Sequence, residues 1–167
     1  MKRNIVILVL GSCCLFNSCY ELDLNPLSQG SSENWYSSET EIEMALKDGY
    51  RQDFWPKDKE EWTDDYVYRE TNSAIVNGTL NGQTDEVTKM WSNQYKAIAR
   101  ANTVLANMEK AQSLGISQSK IDQYTAEAYF LRASMYSTLI SHFGDVVYVT
   151  EVMDVDQAFE VGRTAKA

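Results

Sequence analysis

The stretch AEAYFLRASMYSTLISHFGDVV, residues 126–147, decides the fold. Its apolar residues recur every three or four positions, as on one face of a helix, and the pattern predicts a helix from Ser117 or Ser119 to about His142. The predicted apolar stripe consists of Ile121, Tyr124, Ala128, Leu131, Met135 and Leu139. Gly144 ends the helix. The run VVYVTEV after it is rich in β-branched residues and predicts either a strand or an extended crossing segment.

Two further helices precede this one. A stripe over residues 86–112 predicts a long helix, and its members are Val87, Met90, Trp91, Gln94, Ile98, Ala101, Leu105 and Met108. The short link LGIS, with Gly115 ending the helix, forces an antiparallel hairpin. Upstream, Ser38-x-x-Glu41 fits a capping box and predicts a helix that continues to Pro56. The sequence therefore predicts a mainly α fold of antiparallel, tetratricopeptide-like hairpins with a long irregular loop and little or no β structure.

The N-terminus has the three parts of an export signal. Lys2 and Arg3 precede an apolar run over residues 5–16, which is shorter than the roughly 20 residues of a membrane-spanning helix. A cysteine after a small residue at the end of such a leader is typical of a bacterial lipobox, and both Cys13 and Cys19 qualify. Cys19 has the longer leader and is preferred as the lipid attachment point. We therefore predict a lipoprotein signal peptide over 1–18, an extended tether over 19–37 and a helical domain over 38–167.

Charge and motif content favour a binding protein over an enzyme. The net charge is −9, or −11 once Lys2 and Arg3 are removed with the leader, which argues against a nucleic-acid partner. The chain contains no phosphate-binding loop, no HExxH, no GxSxG and no EF-hand loop, so we predict no metal, cofactor or catalytic residue. His142 is predicted to cap a helix, and the acid pairs at 60–61 and 64–65 are predicted to be solvated.

The loop over residues 56–85 holds the sequence's candidate ligand site. Trp62, Tyr66 and Tyr68 lie among acidic residues, with Asn72 close behind them. Flat rings beside carboxylate and amide groups suit a sugar, because its apolar face stacks on the ring and its hydroxyls need polar partners. The alternative is that these rings pack over the first helix and close the edge of the core.

Two blocks, residues 91–108 and 126–151, resemble the SusD/RagB family of Bacteroidetes outer-membrane nutrient-binding lipoproteins. The shared residues are Trp91, Tyr95, Ile98, Ala101, Asn102, Ala126, Glu127, Ala128, Leu131, Arg132, Ala133, Tyr136, Phe143, Gly144 and Asp145. The lipobox and the LDLNP run after Cys19 are similar to that family too. Val147 departs from the proline that is usual in the family after GDV.

The resemblance implies capture of a nutrient, most often an oligosaccharide, by a lipid-anchored lid of a SusC-like TonB-dependent transporter at the cell surface. The alternative is a helical protein-interaction scaffold that docks on the transporter without binding ligand itself. Family members are several hundred residues longer, so we expect this chain to be an N-terminal part of such a protein.

Three residues are assigned structural roles from the sequence. Arg132 is expected to bury its stem and pair with a carboxylate, with Glu109 as one candidate. Asn102 interrupts an apolar stripe and is expected to bond to the backbone of a neighbouring segment. Trp91 is expected to pack within the hairpin.

Overall fold

The computed structural model of the chain describes residues 35–55, 62–63, 65, 69 and 74–164. The predicted signal peptide and nearly all of the tether, including Cys13 and Cys19, lie outside these residues. The helices are α1 (Glu39–Asp48), a short 3-10 turn (Gln52–Phe54), α2 (Asp85–Ala106), α3 (Met108–Ser113), α4 (Gln118–Phe143) and α5 (Val155–Glu160). In the described ranges β pairing is limited to one antiparallel bridge, between Val146 and Thr164. The prediction of a mainly α fold is confirmed.

Helices α2 and α4 form the antiparallel pair on which the fold is built. The rings of Trp91, early in α2, and Phe143, at the end of α4, lie 5.0 Å apart between centroids. Near the other end of α2, Asn102 Oδ1 accepts a hydrogen bond from Arg132 Nη1 at 2.8 Å. Higher residue numbers on α2 therefore pair with lower residue numbers on α4, so the two helices are antiparallel. This arrangement is consistent with tetratricopeptide-like hairpins.

Helix α1 contributes Ile42 and Leu46 to the buried core. One core cluster lies between α2, α4 and the 3-10 turn. Its buried members are Phe54, Ala97, Ile98, Met135, Tyr136, Leu139 and Val146. Ile98, Met135 and Leu139 are each exposed by no more than 1%. Burying an aliphatic side chain this completely contributes about 1.5–3 kcal/mol. The predicted stripes of α2 and α4 therefore supply buried apolar contacts that stabilise the hairpin.

The first helix is shorter than predicted. Its start agrees, since Ser38 Oγ accepts from Glu41 N at 3.4 Å. The Glu41 carboxylate, however, accepts from Ser37 N at 2.7 Å. The predicted capping box is therefore wrong about the donor to Glu41, which was expected to be the Ser38 backbone. The continuation to Pro56 is also wrong: α1 ends at Asp48. The chain turns there and brings Phe54 into the core at 3% exposure, so tertiary packing overrides the helical periodicity.

The long second helix is interrupted once. Asn107 separates α2 from α3 with φ −99° and ψ 5°, so the prediction of one continuous helix to residue 112 is wrong at this position. Its Nδ2 donates to the Thr103 carbonyl at 2.8 Å, a local bond by which Asn competes with the helical backbone. The turn that follows is as predicted: Gly115 has φ +77°, a conformation that favours glycine.

After α4 the chain runs extended across the hairpin, so the crossing-segment alternative is correct. It then enters α5, which the sequence reasoning did not predict. This helix begins with a capping box in which Asp154 Oδ1 accepts from Gln157 N at 2.8 Å and Gln157 Oε1 accepts from Asp154 N at 3.0 Å. Within the described ranges, every helix is too short or too polar to cross a membrane.

Candidate functional site

Two tyrosines of the hairpin bind the backbone of the crossing segment. The Tyr95 hydroxyl accepts from Val147 N at 2.8 Å and donates to Val147 O at 2.9 Å. Two residues further along the extended chain, the Tyr136 hydroxyl accepts from Val149 N at 2.6 Å and donates to Val149 O at 3.0 Å. Each hydroxyl therefore replaces the groups that a neighbouring strand would offer. Burial raises the pKa of both tyrosines, which keeps the hydroxyls protonated and able to donate.

Asn102 and Arg132 extend this attachment by two residues. Asn102 is 2% exposed, and its Nδ2 donates to Val149 O at 3.3 Å and Glu151 O at 3.1 Å, which is the backbone bond expected from the sequence. Arg132 Nη1 donates to Asn102 Oδ1 at 2.8 Å and to Thr150 O at 2.9 Å.

Among the described residues, the acceptors of Arg132 are therefore an amide and a carbonyl oxygen and not the carboxylate that was expected. Arg132 Nη1 lies beside the crossing segment and donates to the Thr150 carbonyl and to the Asn102 amide oxygen. The group formed by Tyr95, Asn102, Arg132 and Tyr136 is called the backbone clamp below.

Trp91 lies beside the clamp in a cluster of rings. Its ring centroid is 4.9 Å from that of Tyr95 and 5.0 Å from that of Phe143, the latter edge to face at 85°. The Arg163 guanidinium carbon lies 5.0 Å from the Trp91 centroid, within the range of a cation–π contact. Half-buried Trp91, on α2, thus packs against the end of α4 and the C-terminal segment.

Trp62 is the one of the four predicted sugar-binding residues that the structure describes. Tyr66, Tyr68 and Asn72 lie outside the described residues. Trp62 is half-buried and lines a cavity of about 120 Å³. The other lining residues are Ile75, Leu80, Glu86, Val87, Met90, His142 and Phe143. The cavity beside Trp62 is therefore mostly apolar and lies at the start of α2 and the end of α4.

His142 contributes an exposed imidazole to the rim of this cavity. Its Nδ1 lies 2.8 Å from the Thr138 carbonyl, one turn back in α4. This position in the last turn of α4 is the one that the predicted capping role requires. Of the acid pair at 64–65, Asp65 is described and is exposed.

A second group of rings lies on the surface beside α1 and α4. Tyr50 and Trp55 have centroids 6.1 Å apart and planes 6° apart, and Trp55 and Phe130 have centroids 6.4 Å apart and planes 26° apart. Tyr50 is 47% and Phe130 56% exposed, while Trp55 is half-buried. These three residues are called the aromatic row below.

Comparison with known proteins identifies the family of this fold. A SusD-like family, described as starch-binding and associating with the outer membrane, matches residues 22–165. That match includes the hairpin and the whole backbone clamp. The chain belongs to this SusD-like family.

Individual relatives agree with the match. SusD-like protein P2 of Formosa agariphila is 23% identical over 160 residues, covering 87% of this chain and 31% of its own length. SusD-like protein P25 of the same organism is 29% identical over 93 residues, covering 56% of this chain and 17% of its own length. The chain therefore spans about a third or less of the length of these relatives.

Two solved structures from Bacteroides fragilis share the fold. A SusD-like carbohydrate-binding protein superposes with a TM-score of 0.58 at 25% identity, covering 77% of this chain and 28% of that one. A second SusD-like protein superposes with a TM-score of 0.61 at 18% identity, covering 81% of this chain and 27% of that one.

In this SusD-like chain, the residues that carried the sequence resemblance are mainly those that build the scaffold. Trp91 packs on the end of α4, and Tyr95, Asn102, Arg132 and Tyr136 form the clamp. Sequence reasoning noted these residues but did not bring them together, since their shared partner is backbone. Tyr95 and Tyr136, next to the apolar stripes, were the available signal, because a buried Tyr hydroxyl usually has a hydrogen-bond partner. The aromatic row was missed entirely.

Proposed function

We propose that this chain is part of a cell-surface protein that binds a glycan and passes it, as a lid, to a SusC-like TonB-dependent outer-membrane transporter. The match of residues 22–165 to a family described as starch-binding and associating with the outer membrane carries the proposal. The solved Bacteroides fragilis relative described as carbohydrate-binding supports it. The protein acts by binding, without catalysis or a cofactor. The net charge of −9 suits a neutral ligand better than a polyanion.

Attachment to the membrane is assigned to lipid on Cys19, after removal of residues 1–18 as a signal peptide. Residues 19–37 then serve as a tether and 38–167 as the SusD-like helical domain. Replacing the anchoring cysteine should move the protein from the membrane fraction to the soluble fraction, since lipidation supplies the membrane affinity. We expect this for Cys19→Ala and not for the matched control Cys13→Ala. The opposite result would place the lipid on Cys13, and retention of both variants would contradict the anchor.

Surface orientation has a separate measurement. Protease added to intact cells should degrade the wild-type chain and leave a periplasmic marker protein intact. A chain that survives until the outer membrane is opened would contradict the proposed cell-surface location.

Glycan binding is tested with the purified full chain. Maltohexaose, cellohexaose and xylohexaose are titrated while tryptophan fluorescence is recorded, and retention is measured in native gels that contain the corresponding polysaccharides. At least one sugar should change the fluorescence saturably and retard the protein. A null result in both measurements would contradict glycan binding by this chain.

The second candidate function is a helical scaffold that docks on the transporter without binding ligand itself. Exposed apolar side chains on α5 favour it, since Val155 is 72% and Phe159 86% exposed. Under this alternative the transporter would co-purify with the chain, Phe159→Ala would weaken that association, and no oligosaccharide would bind. Saturable binding of a sugar would exclude it.

A further inference from the structure

We propose that the aromatic row, Tyr50, Trp55 and Phe130, is a sugar-stacking surface of this chain and that it selects neutral glycans. The inference rests on the proposed glycan-binding function and deepens it by naming the site. The three rings are stacked in a row with interplanar angles of 6° and 26°, and the two outer rings, Tyr50 and Phe130, are exposed. A pyranose ring has an apolar face of C–H groups, which suits a flat ring that is held open to solvent.

The central ring is fixed in orientation. Trp55 Nε1 donates to the Gly49 carbonyl at 3.1 Å, so the polar edge of the indole is turned into the protein. A Cβ on Gly49 would lie 2.6 Å from Leu131 Cδ1, which shows how closely the end of α1 approaches α4. That close approach places Tyr50 and Trp55 beside Phe130. Such a surface loses little conformational entropy when a sugar binds, because its rings are already positioned.

Polar groups lie at the margin of the row. Glu127 is three positions before Phe130 on α4 and therefore on the same helix face. Burial and, after it, the neighbouring Glu127 carboxylate raise the pKa of Tyr50. The oxygens of this carboxylate can accept hydrogen bonds from sugar hydroxyls. A carboxylate at the edge also disfavours uronic-acid and sulfated glycans, because like charges repel.

Arg51, next to Tyr50 in the sequence, does not reverse this charge. Arg51 Nη1 lies 3.5 Å from Asp48 Oδ1, and Arg51 Nη2 lies 3.9 Å from Asp53 Oδ2. Asp48 also pairs with Arg100 Nε at 2.7 Å, so both cations are already matched by carboxylates. In the described part of the chain, the charges beside the row therefore favour a neutral sugar over an anionic one.

The exposed apolar side chains of α5 provide a contrast. Val155 and Phe159 lie one turn apart on a short helix, and the structure shows no ring stacked on Phe159 within the described ranges. That pair has the character of a protein-packing face. The row differs from it in having three near-parallel rings, an anchored indole and a carboxylate margin, and these features fit a carbohydrate.

The test compares three variants of the full chain. Phe130→Ala removes an exposed ring, Trp55→Ala removes the central one, and Phe159→Ala is the matched control, an exposed aromatic residue away from the row. Maltohexaose, cellohexaose and xylohexaose are the neutral probes, and hexagalacturonate is the acidic probe. Binding is measured by calorimetry, so that loss of a tryptophan does not remove the signal, and folding is checked by circular dichroism.

We expect Phe130→Ala and Trp55→Ala to weaken binding of the preferred neutral hexasaccharide by roughly tenfold, and Phe159→Ala to leave it unchanged. Hexagalacturonate should bind more weakly than that sugar. Should Trp55→Ala unfold, Phe130→Ala decides alone, since its side chain lies outside the core. Unchanged binding in the row variants would overturn this inference and leave the proposed function standing. Equal loss in Phe159→Ala, or tighter binding of hexagalacturonate, would also overturn it. Absence of binding by the wild-type chain would overturn both.

Discussion

Replacing Tyr136 by Phe should destabilise the fold by removing one hydroxyl of the backbone clamp. That hydroxyl accepts from Val149 N at 2.6 Å and donates to Val149 O at 3.0 Å. In the variant, Val149 O keeps its bond from Asn102 Nδ2 at 3.3 Å, whereas Val149 N loses its bond to the hydroxyl. A buried donor without a partner costs about 1–3 kcal/mol. Because Val149 is only half-buried, water compensates in part, and we expect a loss of about 1–2 kcal/mol.

Urea unfolding followed by far-UV circular dichroism measures this loss as a change in the free energy of unfolding. The matched control is Tyr148→Phe, whose ring packs 5.2 Å from that of Tyr136 but is 60% exposed. This control should change the free energy of unfolding by less than about 0.5 kcal/mol. Equal effects of Tyr136→Phe and Tyr148→Phe would refute the reasoning, because the clamp bond would then contribute no more than a surface hydroxyl.

A double variant tests whether the clamp acts as one unit. Tyr95→Phe removes the corresponding bonds to Val147, on the same extended segment. If losing either hydroxyl releases the segment, the second substitution has less left to remove, and the double variant costs less than the sum of the single ones. Strict additivity would mean that the two tyrosines hold the segment independently.

Two further predictions concern the first helix. Hydrogen bonds from Lys120 lower the pKa of Glu39 below its ordinary 4.5, so the ion pair stabilises the fold above pH 4.5 and this contribution is lost as pH falls through the lower, folded-state pKa. Glu39→Gln should therefore flatten the acid side of a plot of Tm against pH; a plot that superposes on wild type would contradict this. Gly49→Ala should lower the free energy of unfolding by about 1 kcal/mol, because its Cβ would lie 2.6 Å from Leu131 Cδ1, whereas Gly82→Ala, with open space around it, should not. Equal thermal unfolding of the two glycine variants would contradict the close contact.

The hairpin could be predicted because its determinants are local. Apolar residues such as Ile98, Met135 and Leu139 recur at helical spacing, and Gly115 lies where a short turn needs a left-handed residue. These signals depend on a few neighbouring positions, and the structure agrees with them. The interruption at Asn107 was missed because an asparagine is tolerated within a helix and breaks it only where its side chain finds a local backbone acceptor.

The end of α1 and the partners of Arg132 could not be predicted in the same way. Helical spacing continues past Gly49 in the sequence, and the chain turns only because the core accepts Phe54. Arg132 has acids within plausible reach along the sequence, yet its acceptors are an amide oxygen and a carbonyl on a segment 18 positions away. Both outcomes depend on which surfaces meet in space.

The candidate site shows the same limit. Trp62 could be selected from composition, because aromatic and acidic residues cluster in one loop. The aromatic row has no such cluster: Tyr50 and Trp55 lie near one end of the described chain and Phe130 lies far from them in sequence. Their proximity follows from the crossing of α1 and α4, which only the folded structure supplies.

Helix α4 connects the clamp and the row while keeping their side chains apart. Tyr136 and Arg132 point to the crossing segment, whereas Phe130 and Glu127 contribute to the row, and Leu131 packs against Gly49 between them. Substitutions of Tyr136 should therefore reduce stability without changing the row, and Phe130→Ala should change the row without loosening the clamp. Gly49 is the position where the two effects meet, because its carbonyl holds Trp55 and its missing side chain lets α1 approach Leu131. A substitution there should reduce both stability and the glycan binding that is proposed for the row.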